Sequence, residues 1–283
     1  MIASALRQWA SAAAVCVPLA AALGCEAAAA DASPWDGDAR SAVRLVAGNV
    51  PNGETLRAGV ELRLAAGWKT YWRYPGDSGV PPVFDFSKSE NVKSVALSWP
   101  APHRFTDEGG SSIGYKGGVV LPLRVVPENP RRPVTLRLDL DYAICERLCI
   151  PAKGSARLEL GRAPSLQDRA LAAAEARVPT PARLGEAAPL ALRTVRRESG
   201  GPRPRVMVEV AAPDAAPLDL FVEGPTEDWA LPVPDPIDGG PPGLRRFVFE
   251  LDGLPPGADP SGALLRFTLI SGEKAIEVTS ILE

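Results

Sequence analysis

The chain has 283 residues, of which 46% are apolar, and its formal net charge is −3. This length accommodates two ordinary domains or one large β-domain. The 31 basic and 34 acidic residues are interspersed without a dense basic patch, so we expect no nucleic-acid partner. The 30 prolines and 26 glycines follow no period, which is typical of many short strands joined by turns.

The first 30 residues predict a signal peptide. Arg7 precedes an apolar, alanine-rich run over residues 9–23, and a stretch of small residues follows over 27–30. This order is typical of a secretory signal that is cleaved after export, so we expect a periplasmic protein. Cys25 follows Leu-Gly, which partly resembles a lipoprotein cleavage site, and lipid anchoring at Cys25 is therefore an alternative.

Cleavage of the signal peptide would leave two of the four encoded cysteines, Cys145 and Cys149. In an oxidising compartment they can pair with each other, stay free or meet outside partners. An extended strand would hold residues four positions apart at about 13 Å, which is too far for a disulfide. Pairing therefore requires the chain to turn, either in a tight hairpin over 146–148 or in one helical turn.

Alternating apolar and polar residues predict strands along most of the chain. The period of two is clear over 56–64, 134–142, 206–210, 247–251 and 265–269. The stretches 75–82 and 107–118 are rich in turn-forming residues, and we expect turns there.

A change in composition near Pro164 predicts a break between two domains. Ser165 is placed to cap a short helix that ends near Pro179, and residues 179–189 have the composition of a linker. We therefore predict an all-β protein with two immunoglobulin-like β-sandwich domains joined by a short helix and linker. The predicted boundaries are a signal peptide over 1–30, a first sandwich over 31–163, helix and linker over 164–184, and a second sandwich over 185–283.

The short spacing of Cys145 and Cys149 leaves three functions open. A structural disulfide is one, but closing so small a ring removes only about 2 kcal/mol of unfolded-chain entropy, against nearly 5 for a loop of about 100 residues. Reversible thiol–disulfide exchange is the second, since it needs two neighbouring sulfurs. Binding of a soft metal such as Cu(I), with the only histidine, His103, is the third.

Three segments resemble the N-terminal (alpha) domain of the DsbD/ScsB-type thiol:disulfide interchange proteins. They are Tyr-Ala-Ile-Cys-Glu-Arg-Leu-Cys-Ile-Pro over 142–151, Gly-Trp-Lys-Thr-Tyr-Trp-Arg-Tyr-Pro-Gly-Asp-Ser-Gly-Val-Pro-Pro over 67–82, and Gly114-Tyr115 before a strand. They occur in the family's order, and the resemblance covers roughly residues 40–160. It favours redox function over the two alternatives.

The resemblance implies a component of a protein-disulfide reductase that works without a cofactor or metal. In the family, an immunoglobulin-like domain takes electrons from a membrane-embedded thiol reductase and passes them to periplasmic thioredoxin-like proteins. The resemblance also associates the protein with cytochrome c biogenesis. By resemblance, Cys149 forms the mixed disulfide with a partner and Cys145 resolves it.

The family also has a cap loop that shields the cysteine pair, and this loop maps loosely onto residues 71–79. A cap would protect a dithiol from stray oxidants, and glycines at positions 76 and 79 would let it swing. The candidate cap or tuning residues are Tyr71, Trp72, Asp77 and Tyr115.

The sequence departs from the best-known family members because it reaches Glu283 without a membrane domain or a thioredoxin Cys-x-x-Cys motif. We therefore expect the stand-alone form, whose electron donor is a separate membrane protein. The rival interpretation is a non-catalytic β-sandwich, a binding or copper-handling module with a structural disulfide. The accessibility of Cys149 discriminates between them, because a structural disulfide should be buried.

Overall fold

The computed structural model describes residues 30–50, 55–76, 79–107, 110–198, 204–213 and 217–283. Nearly all of the predicted signal peptide, including Cys25, lies outside these residues, and so does Asp77. None of the helical segments in the described ranges is both long and apolar enough to cross a membrane.

The first part of the chain forms two packed sheets, which we call the first sandwich. One sheet has the strand order β1-β2-β3-β9-β6, and the other has the order β11-β10-β4-β8-β7 with β5 paired to β10. The strands are β1 (Asp36–Gly37), β2 (Ser41–Gly48), β3 (Leu56–Leu64), β4 (Lys69–Gly76), β5 (Val83–Asp85), β6 (Val92–Leu97), β7 (His103–Asp107), β8 (Gly110–Lys116), β9 (Gly118–Pro127), β10 (Val134–Cys145) and β11 (Cys149–Leu160).

The core of the first sandwich follows from the two-residue period of its strands. In β10, Leu136, Leu138 and Leu140 are buried, whereas Arg137 and Asp139 between them are partly exposed. Successive side chains of a strand point to opposite faces, so one face of β10 packs against the other sheet and the other face meets solvent. Ile144 lies on the inner face of β10 and belongs to the core, whereas the next residue, Cys145, lies on the outer face.

One short helix, α1 (Asp168–Glu175), packs on the outside of the first sandwich. Its Leu171 is fully buried and occupies the space above Gly48 and Gly59, where a Cβ atom would lie 2.6 Å and 2.8 Å from the leucine methyl groups. The predicted cap is corrected by the structure: the residue before the helix is Gln167, which makes no side-chain cap. The Ser165 hydroxyl accepts from the backbone N–H of Gln167 at 3.0 Å and donates to the carbonyl of Ala47 at 2.7 Å, which tethers the chain to β2.

The remaining residues form a second pair of sheets, the second sandwich, with orders β12-β19-β18-β15 and β13-β14-β17-β16. A separate core of aliphatic and phenylalanine side chains lies between them. The strands are β12 (Thr180–Ala182), β13 (Ala191–Glu198), β14 (Arg205–Ala211), β15 (Leu218–Glu223), β16 (Asp235–Ile237), β17 (Arg245–Glu250), β18 (Leu264–Ser271) and β19 (Lys274–Ile281).

The all-β fold class is confirmed, and two local expectations are corrected. The stretch 107–118, expected to be turn, contains strand β8, whose Ile113 and Tyr115 are buried in the core. The predicted linker contains strand β12, which pairs in parallel with β19. In both places apolar residues pack against a distant strand, and this tertiary pairing overrides the local turn composition.

Candidate redox site

The two cysteines lie directly opposite each other at the end of a β-hairpin. Strands β10 and β11 pair in a register that sets Ile144 against Ile150 and Cys145 against Cys149. Residues 146–148 form the connecting loop, and the two sulfurs are joined in a disulfide. Of the two ways to turn the chain, the protein uses the hairpin and not the helical turn.

The two sulfur-bearing residues differ in exposure. Cys145 is 2% exposed because β10 lies between β11 and β4, where Cys145 is paired with Lys69. Cys149 is exposed because β11 is the edge strand of the sheet, and its neighbour Leu148 in the loop is 74% exposed. A thiolate approaching from solvent therefore meets Cys149 first.

Tyr71 of β4 places its hydroxyl on the disulfide. The Oη atom lies 2.8 Å from Sγ of Cys145 and 3.0 Å from Sγ of Cys149, and the side chain is 3% exposed. Neither sulfur of a disulfide carries a proton, so the hydroxyl is the donor. The placement follows from strand geometry: Lys69 pairs with Cys145, and Tyr71 lies two residues further along the same face.

The described part of the predicted cap loop wraps the Tyr71 ring. A Cβ atom on Gly79 would lie 2.2 Å from Cβ of Pro75 and 2.7 Å from Cδ1 of Tyr71. Only glycine permits so close an approach of the backbone to the ring. The loop therefore contacts the cysteine pair through Tyr71.

Trp72 and Tyr115 do not form part of this cover. Trp72 follows Tyr71 in the strand, so it points to the opposite face, where its ring centroid lies 6.0 Å from that of Phe221. Tyr115 is likewise in the core cluster and donates its hydroxyl to the carbonyl of Pro100 at 2.8 Å, and burial raises its pKa. Both were candidate cap residues, and the structure assigns them to packing.

Two lysines follow the cysteine hairpin across the sheet: Lys69 of β4 is paired with Cys145, and Lys116 of β8 is paired with Lys69. Lys69 is buried and donates from Nζ to the Ser112 hydroxyl at 3.1 Å. The Nζ atoms of Lys69 and Lys116 lie 5.6 Å and 4.6 Å from the ring centroid of Phe105. Cations near a thiol favour its thiolate form. Sequence reasoning missed Lys69, although its position two residues before Tyr71 on a strand was a usable signal.

The structure does not bring His103 to the cysteines. His103 is exposed on β7, three strands away from β10, and its Nε2 lies 3.5 Å from Arg177 Nη2. Loss of solvent around the ring and the neighbouring positive charge of Arg177 lower the pKa of His103. Within the described ranges, no group of three or more His, Cys, Asp and Glu side chains is arranged to hold a metal ion.

Residues 39–159 match the model of the family described as thiol:disulfide interchange protein DsbD, N-terminal. The matched segment contains both cysteines and Tyr71. The match thus spans the cysteine hairpin and nearly all of the first sandwich. The resemblance to the DsbD N-terminal domain is confirmed for this segment.

Solved structures extend the similarity of fold beyond that segment. The N-terminal periplasmic domain of ScsB from Proteus mirabilis matches with a TM-score of 0.69 at 21% identity, covering 89% of this chain and 98% of that chain. The two proteins therefore share a fold that includes the second sandwich. A marsupial T cell receptor matches with a TM-score of 0.21 at 11% identity, covering 87% of this chain and 96% of that one, which is too low to carry an argument. The sequence search found no match among curated proteins.

Proposed function

We propose that the protein is a periplasmic electron carrier that exchanges the Cys145–Cys149 disulfide with partner proteins. The observation that carries this proposal is the asymmetry of the pair. Cys149 is an exposed residue that a partner can reach, while Cys145 is buried, and the Tyr71 hydroxyl contacts both sulfurs. The rival structural disulfide would have both sulfurs buried.

In the first half-reaction, the oxidised pair accepts electrons from a donor dithiol. A donor thiolate attacks Sγ of Cys149, the Cys145–Cys149 bond breaks, and Cys145 leaves as a thiolate. The second donor thiolate then attacks the mixed disulfide and releases Cys149. Two electrons pass to the pair, the donor becomes a disulfide, and the donor's protons are transferred through solvent to the new thiols.

The second half-reaction runs in the opposite sense with an acceptor. The Cys149 thiolate attacks the acceptor's disulfide to form a mixed disulfide, and Cys145 resolves it, which leaves the acceptor as a dithiol. This order gives the partner-facing step to the accessible sulfur and the internal step to the buried one. The resemblance assigns the same roles.

Tyr71 serves both half-reactions as a hydrogen-bond donor. Cys145 is nearly buried, and a thiolate formed there without a donor would be costly because water cannot solvate it. The Tyr71 hydroxyl at 2.8 Å stabilises that thiolate as it leaves. The ring of Tyr71 covers the pair between encounters.

Two exposed apolar side chains, one at the tip of the hairpin and one on the sheet face that carries Cys145, suit a docking partner. Leu148 is 74% exposed at the tip of the hairpin, and Val83 is 62% exposed on β5. Val83 pairs with Asp141 of β10, so it lies on the face that also carries Cys145. We assign the acceptor to the periplasmic thioredoxin-like proteins and the donor to a membrane-embedded thiol reductase.

The proposal is tested by electron transfer between purified proteins. The reduced protein should convert the disulfide of a thioredoxin-like protein to a dithiol with one-to-one stoichiometry. A variant in which both cysteines are alanine should be inactive. Failure of the wild-type protein to reduce any periplasmic thioredoxin-like protein above the rate of glutathione would contradict the proposal.

A further inference from the structure

We infer that the second sandwich clamps strand β4 so that the hydroxyl of Tyr71 stays on the disulfide, with Arg73 as the positioning residue. The inference rests on the proposed function. It gives the second sandwich, which has no cysteine, a part in the reaction.

Arg73 joins β4 to two strands of the second sandwich. Its Nε and Nη2 atoms donate to the two carboxylate oxygens of Glu223 on β15 at 2.8 Å and 2.7 Å, and Nη2 also donates to Glu277 on β19 at 2.5 Å. The side chains of Arg73 and Glu223 are 20% and 13% exposed. A two-pronged pair of this kind fixes orientation as well as distance, and partial burial protects it from screening by salt.

The residues on either side of Arg73 are anchored to the same unit. The Trp72 ring packs on Phe221 of β15, and both side chains are fully buried. The Tyr74 hydroxyl donates to the carbonyl of Leu231 at 2.5 Å. Three consecutive residues after Tyr71 are therefore held by the second sandwich through an aromatic contact, an ion pair and a hydrogen bond.

A cavity adjoins the anchored residues of β4, and Arg73 and Tyr74 contribute to its lining. The cavity, of about 500 Å³, separates Pro75, Gly76 and Gly79 from the segment 224–230 of the second sandwich.

The position of Tyr71 matters because hydrogen bonds weaken steeply with distance and angle. Its hydroxyl contacts both sulfurs, and loosening β4 would move it away from them. Loss of the Tyr71 hydrogen bond would destabilise the reduced pair more than the disulfide, because a thiolate accepts a stronger hydrogen bond than a disulfide sulfur does. A loosened clamp should therefore favour the disulfide form at equilibrium.

The test is the equilibrium in which the protein disulfide and two glutathione thiols give the protein dithiol and one glutathione disulfide. An equilibrium is chosen because exposure of the sulfurs alters rates but not the equilibrium constant. Tyr71→Phe should shift the constant about five- to tenfold toward the protein disulfide. Arg73→Gln should shift it in the same direction by about threefold or more, and the double variant should match Tyr71→Phe.

Asp219→Asn is the matched control. Asp219 also lies on β15 and pairs with an arginine of the first sandwich, Arg104 of β7, at 2.6 Å. Neutralising it weakens a contact between the sandwiches that does not involve Arg73, and the equilibrium constant should stay within twofold of wild type. If Arg73→Gln does not fold, Glu223→Gln replaces it, with the same expected direction.

Hydrogen exchange of the backbone amides over 69–76 gives a readout that does not need the redox reaction. These amides should open faster in Arg73→Gln than in Asp219→Asn. An unchanged constant and unchanged exchange in Arg73→Gln would overturn the clamp alone. Additive shifts in the double variant would also overturn it. A wild-type disulfide that glutathione cannot reduce would overturn the proposed function and, with it, the clamp's part in the reaction.

Discussion

The hydroxyl of Tyr71 lies 2.8 Å from the Sγ atom of Cys145, a residue that is 2% exposed. In the proposed exchange, this sulfur becomes a thiolate when a donor thiolate attacks Cys149. The neighbouring hydroxyl replaces the water that burial excludes, so the two residues together make a buried leaving group workable.

Replacing Tyr71 by Phe should slow thiol–disulfide exchange about fivefold to tenfold, because the Cys145 thiolate loses its hydrogen-bond donor while the ring stays in place. The rate of disulfide reduction by glutathione measures this. Tyr142→Phe is the matched control, since the Tyr142 hydroxyl bonds to Ser41 Oγ at 2.9 Å and its side chain lies in the core of the sandwich. Equal rates for Tyr71→Phe and wild type would show that the Tyr71 hydroxyl does not contribute to exchange.

Replacing Tyr71 by Ala should have a further effect, because it also removes the ring that covers the pair. The reduced pair should be oxidised faster by a small oxidant such as hydrogen peroxide, measured by loss of free thiols. Tyr71→Phe keeps the ring and should be oxidised no faster than wild type. Circular dichroism must show that the alanine variant is folded, since truncating a buried aromatic costs about 3–5 kcal/mol. An unchanged oxidation rate in a folded Tyr71→Ala protein would show that the contact is packing alone.

Replacing Cys145 by Ala should trap mixed disulfides through Cys149, because the resolving thiol is gone. Replacing Cys149 should abolish them, because the remaining sulfur is buried. Non-reducing electrophoresis of exported protein from cells, followed by reduction of the adducts, distinguishes the two variants. Adducts that form through Cys145 instead would reverse the roles.

Replacing Leu148 by Ser should lower the kcat/KM of exchange with a thioredoxin-like protein by about tenfold or more, since a buried leucine at an interface stabilises the complex by about 1.5–3 kcal/mol. Glutathione should reduce the disulfide of the Leu148→Ser variant at the wild-type rate. Leu166→Ser is the matched control, because Leu166 is 89% exposed just before α1, away from the hairpin. An equal loss of kcat/KM in Leu148→Ser and Leu166→Ser would contradict a docking role for Leu148. Slower reduction of Leu148→Ser by glutathione would contradict it as well.

The sequence predicted the fold class and the strand around the cysteines well, because a half-buried strand has a two-residue period that can be read directly. Strands β3, β10, β14 and β18 occur where alternation is clear. It missed β8 and β12, whose residues are rich in glycine or proline and become strands only through pairing with distant partners. The helix was predicted with Ser165 as its cap, whereas Gln167 precedes the helix and the Ser165 hydroxyl bonds to the Gln167 N–H and to the distant carbonyl of Ala47.

The site was predictable only in part. The sequence located the cysteines and the aromatic segment, but alternation alone could not say whether Tyr71 or Trp72 points into the core. Arg73 contacts Glu223 and Glu277, which are 150 and 204 residues away in the sequence, and no local pattern encodes such contacts. The role of Asp77 as a cap or tuning residue stays a prediction, because Asp77 lies outside the described residues.

The reduction potential of the Cys145–Cys149 pair tests the central claim most directly. It is measured by equilibrating the purified protein with glutathione or dithiothreitol buffers and counting free thiols. A carrier must both accept and release electrons, so the potential should lie above about −300 mV, in the range of catalytic pairs. A potential below about −300 mV, typical of structural disulfides, would contradict the account.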